Sequence, residues 1–329
     1  MKNQANSLSL VSSVQVNSTS HWVRSLFLVG SVLVAAGCQS RPTHQDQVSE
    51  EVAPKVRTID VLRDALKPPV EVTKKIEVID GESDPTLAAE PPKKMNQFML
   101  TLDDKNTNIS FNCELGHANW VSWTVAVEDF GPAKRTKRFH EDSKLPKENC
   151  LVPKPDSLSG SGFDRGHMTP SADRTRDAEF NKTVFSMANI VPQAPQVNQK
   201  GWNDLEMLTR ELVKQGSDAV VLSGTFGTLG KIPTSGINIP EYTWKVVMLA
   251  PTGALKLSES TTKVYAVLYK NALELAPVPL NDALVSVDEL EAKIGMDVLS
   301  GLQDDLEARL EKKKEPLPAK APVMAADQE

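Results

Sequence analysis

Three cysteines, 5% aromatic side chains and no apolar run of about 18 residues set the first limits on this 329-residue chain. So few cysteines exclude a disulfide-dense scaffold and a four-thiolate zinc site. The missing long apolar run excludes a multi-pass membrane protein. Positive charge is also in deficit. The chain has 37 Lys and Arg against 43 Asp and Glu, a net charge of −6. That excludes a globally basic nucleic-acid coat protein, but not a local basic cleft, because ligands answer to the local field. Hydrophobic residues make up 40% of the chain, a little below the globular norm, so part of it is expected to lie outside any core.

What is present divides the chain into segments. After Arg24 comes an unbroken apolar and small-residue run to Ala36, the length of a secretory hydrophobic region. It ends in Ala35, Ala36, Gly37 and Cys38, which resembles a bacterial lipobox. Residues 1–37 are therefore expected to be a lipoprotein-type signal, with Cys38 lipidated; plain signal cleavage would leave Cys38 incidental. Gln39 stands where an aspartate would favour the inner membrane, so an exported, outer-membrane-anchored chain is expected. Residues 38–94 have no aromatic residue and are rich in Lys, Glu, Asp and Pro. Such a stretch buries too little apolar surface to offset chain entropy and reads as a disordered tether. Within it, Ile59, Leu62 and Leu66 share a helical face, so a short helix over 58–66 is possible. Residues 312–329 read as a disordered tail, leaving 95–311 as one domain.

That domain mixes strands and helices. Segments 98–102, 109–113 and 120–127 alternate or are β-branched and aromatic. Runs at 220–223, 244–250 and 264–269 suit buried strands. Trp202, Leu205, Leu208, Leu212 and Val213 have helical spacing, as do Val287, Leu290, Ile294 and Val298 within a helix expected over 286–302. Ser286 and Glu289 fit a capping box. Strands and helices do not alternate strictly, which favours α+β.

The chemistry is expected at Asp164-Arg165-Gly166-His167. Arg165 and His167 are two apart, so on an extended segment they face one side, and Gly166 permits close backbone approach. Phosphodiester hydrolysis needs a near-neutral base and a cation for phosphate oxygens. Of the other histidines, His21 and His44 fall in the leader and tether, leaving His117 and His140 in the domain.

Three stretches extend this motif: 164–174, 185–193 (Phe-Ser-Met-Ala-Asn-Ile-Val-Pro-Gln) and 198–206 (Asn-Gln-Lys-Gly-Trp-Asn-Asp-Leu-Glu). With 222–224, 239–245 and 285–291, they resemble the DNA/RNA non-specific endonuclease family, the ββα-metal nucleases. The resemblance implies a mostly antiparallel central sheet flanked by helices. It implies metal-dependent hydrolysis of DNA and RNA, single- or double-stranded, with little sequence preference. His167 would be the general base. Asn198 would be the only protein ligand of Mg²⁺, or failing that Mn²⁺, in keeping with magnesium's retention of water. Arg165 would neutralise transition-state charge and Asp164 would orient groups near the base. Asn189 would brace the site or contact substrate. A second phosphate-binding cation falls within 134–139, with Arg135, Lys137 and Arg138 all candidates and Arg138 favoured. Asn198 would open the helix that carries Glu206, and eight residues place the two about 12 Å apart along its axis. Glu206 then suits holding waters around the ion. The alternative is a surface pair with Arg210. Trp202 reads as core. A catalytically weak nucleic-acid-binding envelope lipoprotein of the same fold is the rival reading. Cys113 and Cys150, in an exported domain, are expected to be bonded.

Overall fold

The computed structural model describes residues 56–66, 69–71 and 96–319. The leader, Cys38, most of the tether and 320–329 lie outside the described residues. In chain order the elements are α1 (Thr58–Ala65), β1 (Val70–Glu71), β2 (Phe98–Thr101), β3 (Asn108–Asn112), β4 (His117–Val125), β5 (Asp164–His167), α2 (Ala178–Thr183), β6 (Ile190–Gln193), α3 (Pro195–Asn198) and α4 (Gly201–Lys214). There follow β7 (Ser217–Phe226), β8 (Gly230–Lys231), β9 (Asn238–Ile239), β10 (Tyr242–Pro251), β11 (Lys263–Lys270), α5 (Leu280–Ala283), β12 (Leu284–Val285), α6 (Val287–Ile294), β13 (Met296–Asp297) and α7 (Asp304–Glu311).

Seven strands form one antiparallel sheet in the order β12-β11-β10-β7-β4-β3-β2. Both faces of its centre are covered, so β7, β10 and β11 are largely apolar, with Ser223, Thr243 and Lys245 among the buried polar exceptions. The two-residue period still sorts their side chains. Val220, Leu222, Trp244, Val246, Met248 and Ala266 pack beneath α1 and α6. Val221, Val247, Leu249, Tyr265 and Val267 face the other way and pack with Met168, Val191, Trp202 and Leu205. This second face carries the β5–β6 hairpin and α4, and so the candidate site. Cys113 and Cys150 are disulfide-bonded.

Three expectations are corrected here. The tether reading fails over α1, whose Ile59, Leu62 and Ala65 are buried against the sheet. The groove that covers this face comes from strands nearly 200 residues away, as the Thr58 Oγ1 to Pro251 carbonyl bond illustrates. The helix expected over 286–302 stops at Ile294, because Gly295 adopts a left-handed φ of 70° and its N–H caps the Glu291 carbonyl. The capping box of Ser286 and Glu289 is present. The tail does not begin at 312: Glu315 is buried and Leu317 packs on the core.

The α6–α7 face gathers carboxylates. Asp288, Glu291 and Glu311 converge, as do Asp297, Glu307 and Glu311. Burial, reinforced by Glu291 and Glu307, pushes Glu311 up to about 8, and burial pushes Glu291 up to about 7. Below the ordinary value of 4.5 these carboxyls are protonated in both states. Between there and about 8 the folded chain keeps protons that the unfolded chain releases, so stability falls as pH rises. Glu311→Gln is therefore expected to gain melting temperature over the native chain between pH 5 and 8.5. A difference constant across that range, by thermal melting, would contradict the cluster's role.

Candidate active site

β5 and β6 pair as a short antiparallel ribbon, with Asp164 opposite Gln193 and His167 opposite Ile190. Arg165 and His167 share one side, as their spacing demands. Gly166 is required by packing: a Cβ there would sit 2.6 Å from the Gln193 Cβ. Asn189 holds the hairpin's exit. Its side chain accepts from Thr169 N and donates to the Thr169 and Val184 carbonyls at 2.9 Å, and it is fully buried. The substrate-contact role open to Asn189 is thereby corrected, since its amide is spent on backbone and no surface reaches it.

His167 is 7% exposed, and its Nε2 is buried with no hydrogen-bond partner among the described residues. Its ring lies 4.8 Å from Phe185 and 5.4 Å from Phe139, which touch each other at 5.0 Å. Two guanidiniums cover this aromatic base. Arg165 lies 4.2 Å from the Phe139 ring centre and Arg135 lies 5.3 Å from that of Phe185. Burial first, then Arg135 and Arg165, push the His167 pKa down to about 3. The imidazole is neutral across ordinary pH and able to accept a proton.

Arg135, not the favoured Arg138, is thus the cation of the 134–139 run that acts on His167. The ground is position: Arg135 lies over the Phe185 ring beside His167 and lowers the pKa of that histidine, while all three candidates, Arg135, Lys137 and Arg138, are exposed. His117 is buried with Nδ1 on the Ala118 carbonyl, and His140 bridges to Ser186 outside any strand.

Asn198 joins the same hairpin through Asp164, whose Oδ2 accepts from Asn198 Nδ2 and from Gln199 Nε2, each at 2.9 Å. An ionised carboxylate only accepts hydrogen bonds, so the amide nitrogen must face Asp164 and the Asn198 oxygen faces away. That is the orientation a carboxamide needs to offer oxygen to a hard cation. Asn198 is half-buried. It does not share a helix with Glu206: α3 ends at Asn198, and α4 opens at Gly201 after Lys200 breaks the path at φ −125°, ψ −116°. Gly201 is needed there, because a Cβ would collide with the Tyr269 hydroxyl. Glu206 pairs with Lys245 at 2.7 Å rather than with Arg210, which pairs with Asp173 at 3.0 Å. Trp202 is core, 1% exposed.

Phe139, Phe185, Gln199 and Lys245 belong to this constellation and were not singled out by sequence reasoning. Lys245 had a usable signal, a lone charge inside an apolar run.

The sequence profile of the DNA/RNA non-specific endonucleases matches residues 92–305. The chain belongs to that family. A nuclease of Nostoc sp. is 40% identical over 227 residues, covering 68% of this chain and 81% of the relative. The nuclease of Serratia marcescens is 27% identical over 210 residues, 61% of this chain and 75% of its own. Bovine mitochondrial endonuclease G is 26% identical over 173 residues, 48% and 54% of the two chains. In a solved EndoG/EndoGI complex, one chain shares the fold at a TM-score of 0.54 and 17% identity, across 63% of this chain and 88% of that one. The α+β architecture is accordingly the family's, and this member is a hydrolytic nuclease acting on nucleic acid. Family nucleases depend on a divalent metal.

Proposed function

We propose that the chain hydrolyses phosphodiester bonds of DNA and RNA with little sequence preference, and that His167 is its general base. The observation that carries this reading is the convergence of a neutral imidazole, its Nε2 without a hydrogen-bond partner among the described residues, with two guanidiniums, on a ribbon tied to Asn198 through Asp164. His167 removes a proton from the attacking water as its oxygen bonds to phosphorus and the P–O3′ bond breaks. Arg165 and Arg135 spread the charge that builds on the phosphoryl oxygens. Burial first, and then those two cations, oppose protonation of His167 in the free protein. A phosphate lying between them and the ring offsets that repulsion, so the imidazolium formed in the step is tolerated. Asp164 orients the Asn198 amide, and Asn198 and Glu206 are the residues that would hold Mg²⁺ and its waters, with Mn²⁺ the second choice. When bound, the ion supplies Lewis-acid stabilisation of the phosphate and the leaving oxygen. Recognition rests on backbone charge, which every sequence offers alike.

Arg135→Ala is expected to lower kcat/KM by about 10²-fold, and Arg138→Ala by less than about threefold. The acid limb of kcat/KM should also move upward in Arg135→Ala, because a charge that disfavours imidazolium is gone. Equal losses in the two variants would reverse the assignment.

The reading as a whole is tested with a chain beginning at Ala53, which keeps α1. Supercoiled plasmid and folded RNA should both be cut with Mg²⁺ or Mn²⁺ and spared in EDTA. Binding without metal-dependent cleavage would instead favour the nucleic-acid-binding lipoprotein. For the anchor, we propose lipidation at Cys38 and residence at the outer membrane. Cys38→Ser should then move the protein from the membrane to the soluble fraction.

A further inference from the structure

Lys245 stands in the middle of β10 between Trp244 and Val246, and only 1% of it is exposed. An ammonium withdrawn this far from water persists only with a partner. Its Nζ lies 2.7 Å from Glu206 Oε1, 4.1 Å from the Trp202 ring centre and 5.5 Å from that of Trp123. One carboxylate and two indoles thus fix its position. Arg210, a turn after Glu206 on α4, is committed to Asp173 at 3.0 Å, and Asp173 also takes the Trp123 Nε1 hydrogen at 3.0 Å. Among the described ion pairs, Lys245 is the cation on Glu206.

The pair also lies beneath the reacting groups. Thr243, two residues before Lys245 on the same face, accepts from Gln193, which stands opposite Asp164. Ser223, paired across the sheet with Lys245, touches the sulfur of Met168 at 3.4 Å, and Met168 follows His167. Lys245 therefore belongs to the floor under the Asp164–His167 ribbon.

The geometry points to Lys245 as a positioning residue of the nuclease reaction, one that fixes Oε1 of Glu206 and leaves Oε2 as the oxygen serving the site. The inference rests on the role proposed above for Glu206. Its test is a mutant cycle in the full chain, read as kcat, KM and melting temperature. Glu206→Gln alone should cut kcat by roughly 10²-fold with little change in KM. Lys245→Met should cut kcat by about tenfold or more, and Lys245→Arg should recover most of it, because the charge returns.

The deciding arm is Lys245→Met with Glu206→Gln, which removes both buried charges and keeps the fold where the single lysine change strands a carboxylate. If Lys245 acts through Glu206, this double variant is no slower than Glu206→Gln alone, within about threefold. A double variant slower by the product of the two single losses would make Lys245 merely structural and overturn the inference. A fully active Lys245→Met beside a crippled Glu206→Gln would overturn it too, while leaving Glu206 in the site. Native kcat in Glu206→Gln would remove Glu206 itself from the machinery, and the inference with it.

Discussion

Replacing His167 with alanine is expected to lower kcat by about 10³-fold, within the range that a lost general base costs. KM should stay close to native, since Arg165 and Arg135 still meet the phosphate. The fold should survive. The imidazole packs between Phe139 and Phe185, but its Nε2 has no partner, so the variant loses ring contact and is relieved of an unsatisfied buried nitrogen. Circular dichroism melting and single-turnover cleavage of a labelled duplex check both halves. A variant within tenfold of native kcat would end the base assignment.

The second large effect is expected at Asn198. Its amide is already turned by Asp164, with the oxygen presented outward, so alanine removes a preoriented ligand rather than a mobile one. Cleavage at fixed Mg²⁺ should drop by about 10²-fold or more, and the Mg²⁺ concentration for half-maximal rate should rise by at least about tenfold. Asn198→Asp should not substitute cleanly. It sets a second carboxylate where the Asn198 nitrogen now lies 2.9 Å from Asp164 Oδ2. Such a pair repels until a cation is added. Its melting temperature should accordingly fall in EDTA and recover with Mg²⁺, whereas an unchanged metal titration in Asn198→Ala would refute the ligand role.

Legibility in the sequence followed the range of the forces involved. Central strands such as β10 and β11 were readable because burial on both faces demands continuous apolar residues. The face of α4 was readable from Trp202, Leu205 and Leu208 because one helix repeats its own pattern. That Arg165 and His167 share one side of the hairpin was readable because two-residue parity is local. Where a partner is distant in the chain, the reading failed or stayed open. α1 looked like part of a charged tether because the groove receiving Ile59 and Leu62 is built by strands far along the chain, chiefly β7 and β10. Arg138 was favoured over Arg135 because the fold that sets Arg135 over Phe185, beside His167, is not local to the 134–139 run. The break between Asn198 and Glu206 was hidden because it falls at Lys200, an ordinary helix former. The role of Asp164 as the clamp on the Asn198 amide needed both elements in place at once.

The central claim is that a base at 167 and a cation held at 198 face the same phosphate. Its most direct measurement is an anomalous difference map from crystals of His167→Ala grown with Mn²⁺ and a short uncleaved duplex. The account predicts a single manganese peak against the Asn198 carboxamide oxygen, with a phosphate between that ion and the vacated side chain. Manganese found instead among the carboxylates of α6 and α7, or a duplex whose phosphates avoid this ribbon, would contradict it.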